Sequence, residues 1–222
     1  MSKLLFIETS TSLCSTALAE DGCIVCSRRS SEPRAHASLT AVFVKEMMDE
    51  AGWAAPDAVC VSMGPGSYTG LRVGVSTAKG LCFGAGIPLI AIGTLDVLVS
   101  GALGAKRLIV PMIDARRMEV YTAVFSPEGK QLTPVEAKII GPESFADELA
   151  AGPVLFIGDG ALKCKDVLTS PNAFFRKADP LASAMAPLAE AAFQEKGFED
   201  LAYFEPFYLK DFIATVSRKN LF

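Results

Sequence analysis

Apolar residues in the first half of the chain come in short runs that polar or glycine-containing turns separate. The first three runs follow one another closely, which predicts an antiparallel meander of strands. After them, segments with an apolar period near 3.6 residues, which indicates helices, alternate with further short apolar runs, which indicate strands. The predicted strands are 3–8, 13–19, 23–29, 57–63 and 87–92, and the predicted helices are 36–51, 68–84 and 94–103.

The same order of patterns starts again near residue 107. Its predicted strands are 107–113, 118–125, 135–140 and 154–157. Its predicted helices are 142–149, 161–168 and 181–196, the last kinked at Pro187. Strands followed by alternating helices and strands, twice, predict two similar α/β lobes with mixed sheets. We place the lobes at 1–103 and 104–222, with the linker at 101–106 and the last residues as candidates to pack back on the first lobe.

The second predicted helix carries small side chains at every fourth position, so they share one face. Glycine within a helix costs roughly 1 kcal/mol relative to alanine, so this face indicates close approach by another backbone. That backbone belongs either to the chain's own fold or to another protein. The four residues are Gly70, Gly74, Ala78 and Cys82.

The first predicted helix has an apolar arc that covers about half its circumference, wider than the stripe of an ordinary surface helix. Either the helix is sandwiched within its own fold, or one apolar side faces a partner. The candidate partner-binding residues on this helix are Leu39, Val42, Phe43 and Met47.

Composition narrows the class of protein. Half of the 222 residues are hydrophobic and the net charge is −4, which is unlike a protein that binds a polyanion unaided. Any RNA contact is therefore expected to be indirect. The six cysteines lie mostly in apolar runs, as reduced cysteines do, and no run is long enough to span a membrane. We expect a cytoplasmic protein.

Two segments are candidates for binding phosphate. One is the glycine loop, at Gly64, Gly66 and Ser67, which stands between a strand and a helix whose N-terminus could attract an anion. Its glycines match neither dinucleotide-binding nor P-loop spacing. The other is Glu8-Thr9-Ser10, which ends the first strand and equally suits a polar turn.

Other polar residues carry weaker signals. His36 is the only histidine, so it cannot form a His-His metal pair and is more typical of a helix cap or surface residue. The Cys23-x-x-Cys26 spacing falls in a predicted strand, whose positions i and i+3 point to opposite faces. Asp114 and Arg116 lie at a predicted strand end. We predict no catalytic residue and no metal site.

Taken together, several segments resemble the TsaB (YeaZ) family, and they run in order from residue 7 to residue 209. The most specific is the glycine-rich stretch 64–74, which includes Arg72. The others are Ile7-Glu-Thr-Ser-Thr11, Arg34-Ala-His36, Asp114-Ala-Arg116 with Glu119-Val-Tyr121, and Pro206-Phe-Tyr-Leu209. Against the family pattern, Glu8 replaces Asp, Tyr68 replaces Phe and Lys210 replaces Arg.

The resemblance implies an actin-like, Hsp70-like ATPase fold of the ribonuclease H-like kind. It also implies a part in making threonylcarbamoyladenosine beside the anticodon of tRNAs that read codons beginning with A. In this family the first two helices pair with TsaD, the transferase, or with a second copy when TsaD is absent. A small ATPase, TsaE, joins the pair, and ATP is expected only at a joint interface.

One difference from TsaD bears on catalysis. Where TsaD-like proteins have a His-x-x-x-His metal pair, this chain has Gly93-Thr-Leu-Asp-Val97. The resemblance therefore implies a scaffold or activator subunit without its own metal. The alternatives are an ATP-dependent phosphotransferase or a peptidase of the same fold, and a self-pairing structural protein.

Overall fold

The computed structural model describes residues 1–210 of the chain. Its first sheet opens with the predicted meander, because three apolar strands are joined by short polar turns. Strands β4 and β5 then add in parallel to the other side of β1, so the strand order is β3-β2-β1-β4-β5. The strands are β1 Lys3–Glu8, β2 Cys14–Glu20, β3 Cys23–Ser30, β4 Ala58–Gly64 and β5 Leu89–Gly93.

The second sheet repeats this topology. Strands β6, β7 and β8 form the antiparallel meander, and β9 and β10 add in parallel beside β6. The strand order is β10-β9-β6-β7-β8. The strands are β6 Leu108–Asp114, β7 Glu119–Thr122, β8 Glu136–Ile139, β9 Val154–Ile157 and β10 Ala173–Arg176. The predicted actin-like α/β fold with two mixed sheets is confirmed.

Helices cover both faces of each sheet. Helices α1 and α2 pack on one face of the first sheet, and α5 packs on the other. Helix α3 contributes Leu95, Leu98 and Val99 to one face of the second sheet, whose opposite face lies under α4 and the turn that follows β9. The helices are α1 Ala35–Ala51, α2 Tyr68–Ala85, α3 Thr94–Ser100, α4 Ala146–Ala151 and α5 Ala186–Gln194.

The structure corrects three assignments in the second half. The predicted helix 161–168 is only a 3₁₀ turn at Leu162–Cys164. Strand β10 was missed, because it has only four residues, too few for an alternating pattern to be recognised. Pro187 does not kink a helix. It lies in the first turn of α5, where its missing N–H has no intrahelical partner in any case.

The segment after α5 runs back over the first sheet. Glu199 N–H donates to Leu89 O at 2.9 Å, and Phe207 N–H donates to Met63 O at 2.7 Å. Lys210 then forms an ion pair with Glu119 of the second sheet. Of the predicted second lobe, residues 211–222 lie outside the described part of the chain. Within the described part, no helix is both long and apolar enough to cross a membrane.

Candidate functional site

The two predicted phosphate segments meet where β1 and β4 end. The backbone N–H of Ser67 donates to Ser10 O at 2.6 Å, and the Thr9 hydroxyl donates to Gly70 O at 2.8 Å. Ser67 also caps α2 by accepting from Gly70 N–H at 3.3 Å. The chain's own β1–β2 loop therefore packs directly against the N-terminus of α2, the place where an anion would otherwise approach.

The glycines at this joint are explained by steric contact. A Cβ on Gly66 would stand 2.3 Å from Ser10 O, and one on Gly70 would stand 2.0 Å from Thr9 O. A Cβ on Gly74 would lie 2.2 Å from Thr9 Oγ1. Gly64 is in the left-handed region at φ +109°, and its Cβ would be 2.8 Å from Phe207 O. Each glycine thus makes room for another segment of the same chain.

The predicted partner-binding role is therefore wrong for the small-residue face of α2. Gly70 and Gly74 face the β1–β2 loop, while Ala78 and Cys82 are fully buried in the core of the first lobe. Met47 of α1 is likewise fully buried. The close approach that the glycines indicated is internal, so these five residues offer no surface to another protein.

Glu8 is a carboxyl group inside this joint. Its side chain is fully buried, and Oε1 accepts from Ser10 N–H at 2.6 Å. Among the described residues, its Oε2 has no hydrogen-bond partner, and neither do the nearby hydroxyls of Ser10 and Ser62. Desolvation raises the pKa of Glu8 to about 7, although the hydrogen bond from Ser10 N–H opposes the shift. Glu8 is thus a partly neutral carboxyl at physiological pH.

The segment from Gly93 to Val97 joins the first sheet to α3. Gly93 ends β5, and Thr94 starts α3 with its hydroxyl buried and without a partner among the described residues. Burial raises the pKa of the Asp96 carboxyl. Among residues 1–210, no three His, Cys, Asp or Glu side chains come together in a way that could hold a metal ion.

Asp114 and Arg116 occupy the equivalent strand end in the second lobe. Asp114 Oδ1 accepts from Arg116 N–H at 2.8 Å and forms an ion pair with Lys163. Asp114 N–H in turn donates to Asp159 Oδ1 at 2.9 Å. Burial raises the pKa of Asp159. This corner is open to solvent, since the Asp114 side chain is 47% exposed.

His36 ties α1 to the same region. It lies in the first turn of α1, and its Nε2–H donates to the backbone oxygen of Thr11 at 2.9 Å. This bond occupies one ring nitrogen with a structural contact to the β1–β2 loop. The predicted interpretation of His36 as a helix-start residue agrees with this position.

The outer surface of α1 and α2 remains uncovered in the described chain. Val42 is 45% exposed, and Leu39 and Phe43 are half-buried. On α2, Phe83 is 83% exposed, and a Cβ on Gly80 or Gly84 would meet nothing within 4 Å. The sequence analysis did not predict Gly80, Phe83 and Gly84 as surface residues, because it assigned the partner-binding role to the small residues on the opposite face of α2. The polar residues at positions 76, 77 and 79 could have indicated that this side of α2 is exposed.

Arg72 also lies on the exposed side of α2. Its guanidinium stands 5.4 Å from the ring centre of Tyr68, and the ring of Tyr208 lies 4.9 Å from that of Tyr68. The returning segment 199–210 thus supports the start of α2, and Arg72 projects beside it.

Comparison with known proteins identifies the family. A family model described as TsaD, tRNA N6-adenosine threonylcarbamoyltransferase, matches residues 29–217. The tRNA threonylcarbamoyladenosine biosynthesis protein TsaB of Escherichia coli is 30% identical, and the alignment covers 96% of each chain. The chain belongs to the TsaB (YeaZ) family. The joint and the outer helical surface described above are therefore features of a TsaB-family protein.

Solved structures agree with this placement. YeaZ from Pseudomonas aeruginosa superposes with a TM-score of 0.81 at 30% identity, covering 94% of this TsaB-family chain and all of that one. The activator of the 2-hydroxyisocaproyl-CoA dehydratase from Clostridium difficile, with bound ADPNP, gives a TM-score of 0.51 at 11% identity. It covers 88% of this chain and 96% of its own, and at that identity the likeness concerns the fold.

Proposed function

We propose that this chain serves in tRNA threonylcarbamoyladenosine biosynthesis as a non-catalytic subunit that docks on the threonylcarbamoyltransferase TsaD. The observation that carries the proposal is the outer surface of α1 and α2, in a chain of the TsaB family. It combines exposed Val42 and Phe83 with two glycines over open space. Exposed apolar groups of this kind favour association with another protein.

Open glycines on α2 suit a helix-to-helix contact. Without side chains at Gly80 and Gly84, a second helix can approach the α2 backbone closely, while Phe83 supplies a large apolar contact beside them. Aromatic residues contribute strongly to protein interfaces. We expect the same surface to pair with a second copy of the chain when TsaD is absent.

Two features support the non-catalytic part of the proposal. The β1–β2 loop packs its backbone against the start of α2, where Gly66 and Gly70 leave no side-chain volume. Gly93 and Val97 replace the histidines of the TsaD-like pattern. We therefore interpret Glu8, Thr9, Ser10, Gly64, Gly66 and Ser67 as a vestigial phosphate loop that now has a structural role.

The remaining parts of the proposal concern the assembly. We propose that the pair recruits the ATPase TsaE, that any ATP binds at a joint interface, and that tRNA is contacted through the partners in the cytoplasm. A net charge of −4 favours indirect over direct RNA contact.

The docking surface can be tested with Val42→Glu and Gly80→Glu. Both place an unpaired charge on the outer surface and leave the sheet core untouched, so we expect co-purification with TsaD to weaken by at least roughly tenfold. Transfer of the threonylcarbamoyl group in a reconstituted assay should fall in parallel. Gly74→Glu would not serve, since that residue packs against Thr9.

The matched control is Ile139→Glu, which places the same charge on a side chain that is 75% exposed in the second lobe. It should leave both readouts unchanged. Normal pairing by Val42→Glu and Gly80→Glu would refute the surface assignment. Saturable, metal-dependent ATP binding by the isolated chain, lost in Ser10→Ala, would instead favour the phosphotransferase alternative.

A further inference from the structure

A cavity of about 310 Å³ lies beside the outer strands of the first sheet, on the face opposite α1 and α2. It is bounded by the edge of β2 and β3 and by the segment that crosses from β10 to α5. No function has been assigned above to any of its residues. The lining residues are Ser15, Ser27, Arg28, Arg29, Leu181 and Ser183.

Strand register decides which side chains face the cavity. Arg29 is directly opposite Ser15, and Ser27 is opposite Ala17. Side chains alternate along a strand, so Arg29, Ser27 and Ser15 share one face. Arg28 points to the other face, where its guanidinium pairs with Glu50 of α1. The cationic group available to the cavity is therefore that of Arg29.

The cavity offers mainly hydrogen-bond donors. Ser15 is 3% exposed, and its oxygen already accepts from Ala182 N–H at 3.1 Å, so its hydroxyl proton remains available. Ser27 and Ser183 add two hydroxyls, and none of the described residues that line the cavity is a carboxylate. Within the described chain, the side chain of Arg29 takes part in no ion pair, hydrogen bond or ring contact.

An unpaired guanidinium beside several hydroxyl donors matches the oxygen atoms of an anion. Arginine suits phosphate in particular, because its planar donors can contact two oxygens at once. The volume is at the small end of known ligand sites, about 300–1,000 Å³. We propose that this cavity binds the phosphate group of a small phosphorylated molecule, with Arg29 as the main contact.

The proposal does not depend on the docking surface, because the two lie on opposite faces of the first sheet. It also places the ligand against residues 181–183, which connect β10 of the second sheet to α5 on the first. A bound phosphate would therefore hold this crossing segment against β2 and β3, and would stabilise the folded chain in proportion to its occupancy.

The test is a titration of the full chain with inorganic phosphate and, separately, with ribose 5-phosphate, at constant ionic strength set with sodium chloride. Thermal unfolding and the Nε–H signals of the arginines report binding. We expect saturable stabilisation and a shift of the Arg29 signal. Arg29→Gln should weaken binding by at least roughly tenfold, and Ser27→Ala by a smaller factor.

Arg117→Gln is the matched control, since it removes the same charge from an exposed residue of the second lobe that does not line the cavity. It should bind phosphate as the unmodified chain does. Tighter binding of ribose 5-phosphate than of phosphate supports an organic ligand, and equal binding supports the free ion. No saturable response at millimolar concentrations, or equal losses in Arg117→Gln and Arg29→Gln, would overturn the proposal.

Discussion

The two lobes share one topology, yet their corresponding strand ends differ in environment. In the first lobe, the carboxyl of Glu8 at the end of β1 is fully buried and has no cationic partner within residues 1–210. In the second, Asp114 at the end of β6 is exposed and paired with Lys163. A glycine lies against each of these regions: Gly66, after β4, packs against Ser10, and Gly160, after β9, packs against Asp114.

The difference shows that an equivalent position in the fold does not fix how far an acidic residue is desolvated. Desolvation dominates for Glu8, because the β1–β2 loop and the start of α2 close over it. Asp114 keeps contact with water and a lysine. The first lobe thus has a dry, tightly packed joint, and the second lobe keeps a solvated polar corner.

The largest expected effect is steric, in Gly66→Ala. Its Cβ would stand 2.3 Å from a backbone oxygen, while that of Gly160→Ala would meet its nearest neighbours at 3.0 Å. We expect the free energy of unfolding to fall by about 3 kcal/mol or more for Gly66→Ala and by about 1 kcal/mol for Gly160→Ala. Urea unfolding with an unchanged m-value would measure both.

A control for these glycines is Gly80→Ala, which has open space around the new Cβ. Because alanine favours a helix by roughly 1 kcal/mol over glycine, this variant should be as stable as the parent or more stable. Equal losses for Gly66→Ala and Gly160→Ala would mean that the two joints are packed alike.

The next effect is electrostatic, in Glu8→Gln. The pKa of Glu8 is raised from 4.5 to about 7 in the folded chain, so the folded state holds its proton more tightly than the unfolded state. The stability of the parent should therefore fall as pH rises from 4.5 to 7, by up to about 3 kcal/mol, and should level off above that.

Glutamine cannot ionise, so Glu8→Gln should lack this part of the pH dependence and should gain stability relative to the parent between pH 5 and pH 8. Unfolding measured across this range, for parent and variant, tests the sign. If the two curves remain parallel, burial does not hold Glu8 neutral and the dry description of the first joint is wrong.

The smallest effect belongs to the second lobe. Asp114→Asn removes an exposed ion pair with Lys163 but retains an oxygen that can accept from Arg116 N–H. We expect a loss below about 1 kcal/mol that shrinks further at high salt. Unfolding at low and high salt would show it, and a loss as large as that of Gly66→Ala would contradict the solvated description.

Much of the fold could be predicted from the sequence. The opening meander, α1, β4, α2 and β5 have clear periodicity and glycine or polar boundaries, and their bounds agree closely with the structure. The second half was harder. β10 alternates half-buried and exposed positions over only four residues, and the turn at Leu162–Cys164 is too short for periodicity to separate it from a helix.

The candidate site was predicted in part. The sequence indicated that Gly70 and Gly74 accept a close neighbour, but it could not say which one. Thr9 approaches from more than 60 positions earlier in the chain, and only strand pairing between β1 and β4 brings it there. Gly80 and Phe83 could be assigned to the exposed side of α2 only after the structure showed which side of the helix is buried.

By itself, the sequence determined the order of the elements, the duplication of the strand pattern and the family, because these depend on local periodicity and on motifs read along the chain. Tertiary structure alone decided that Glu8 is desolvated, that Met47 and the small face of α2 are internal, and that Arg29 opens into a cavity. Each of these depends on the distance between segments far apart in sequence, and on the water that their packing excludes or admits.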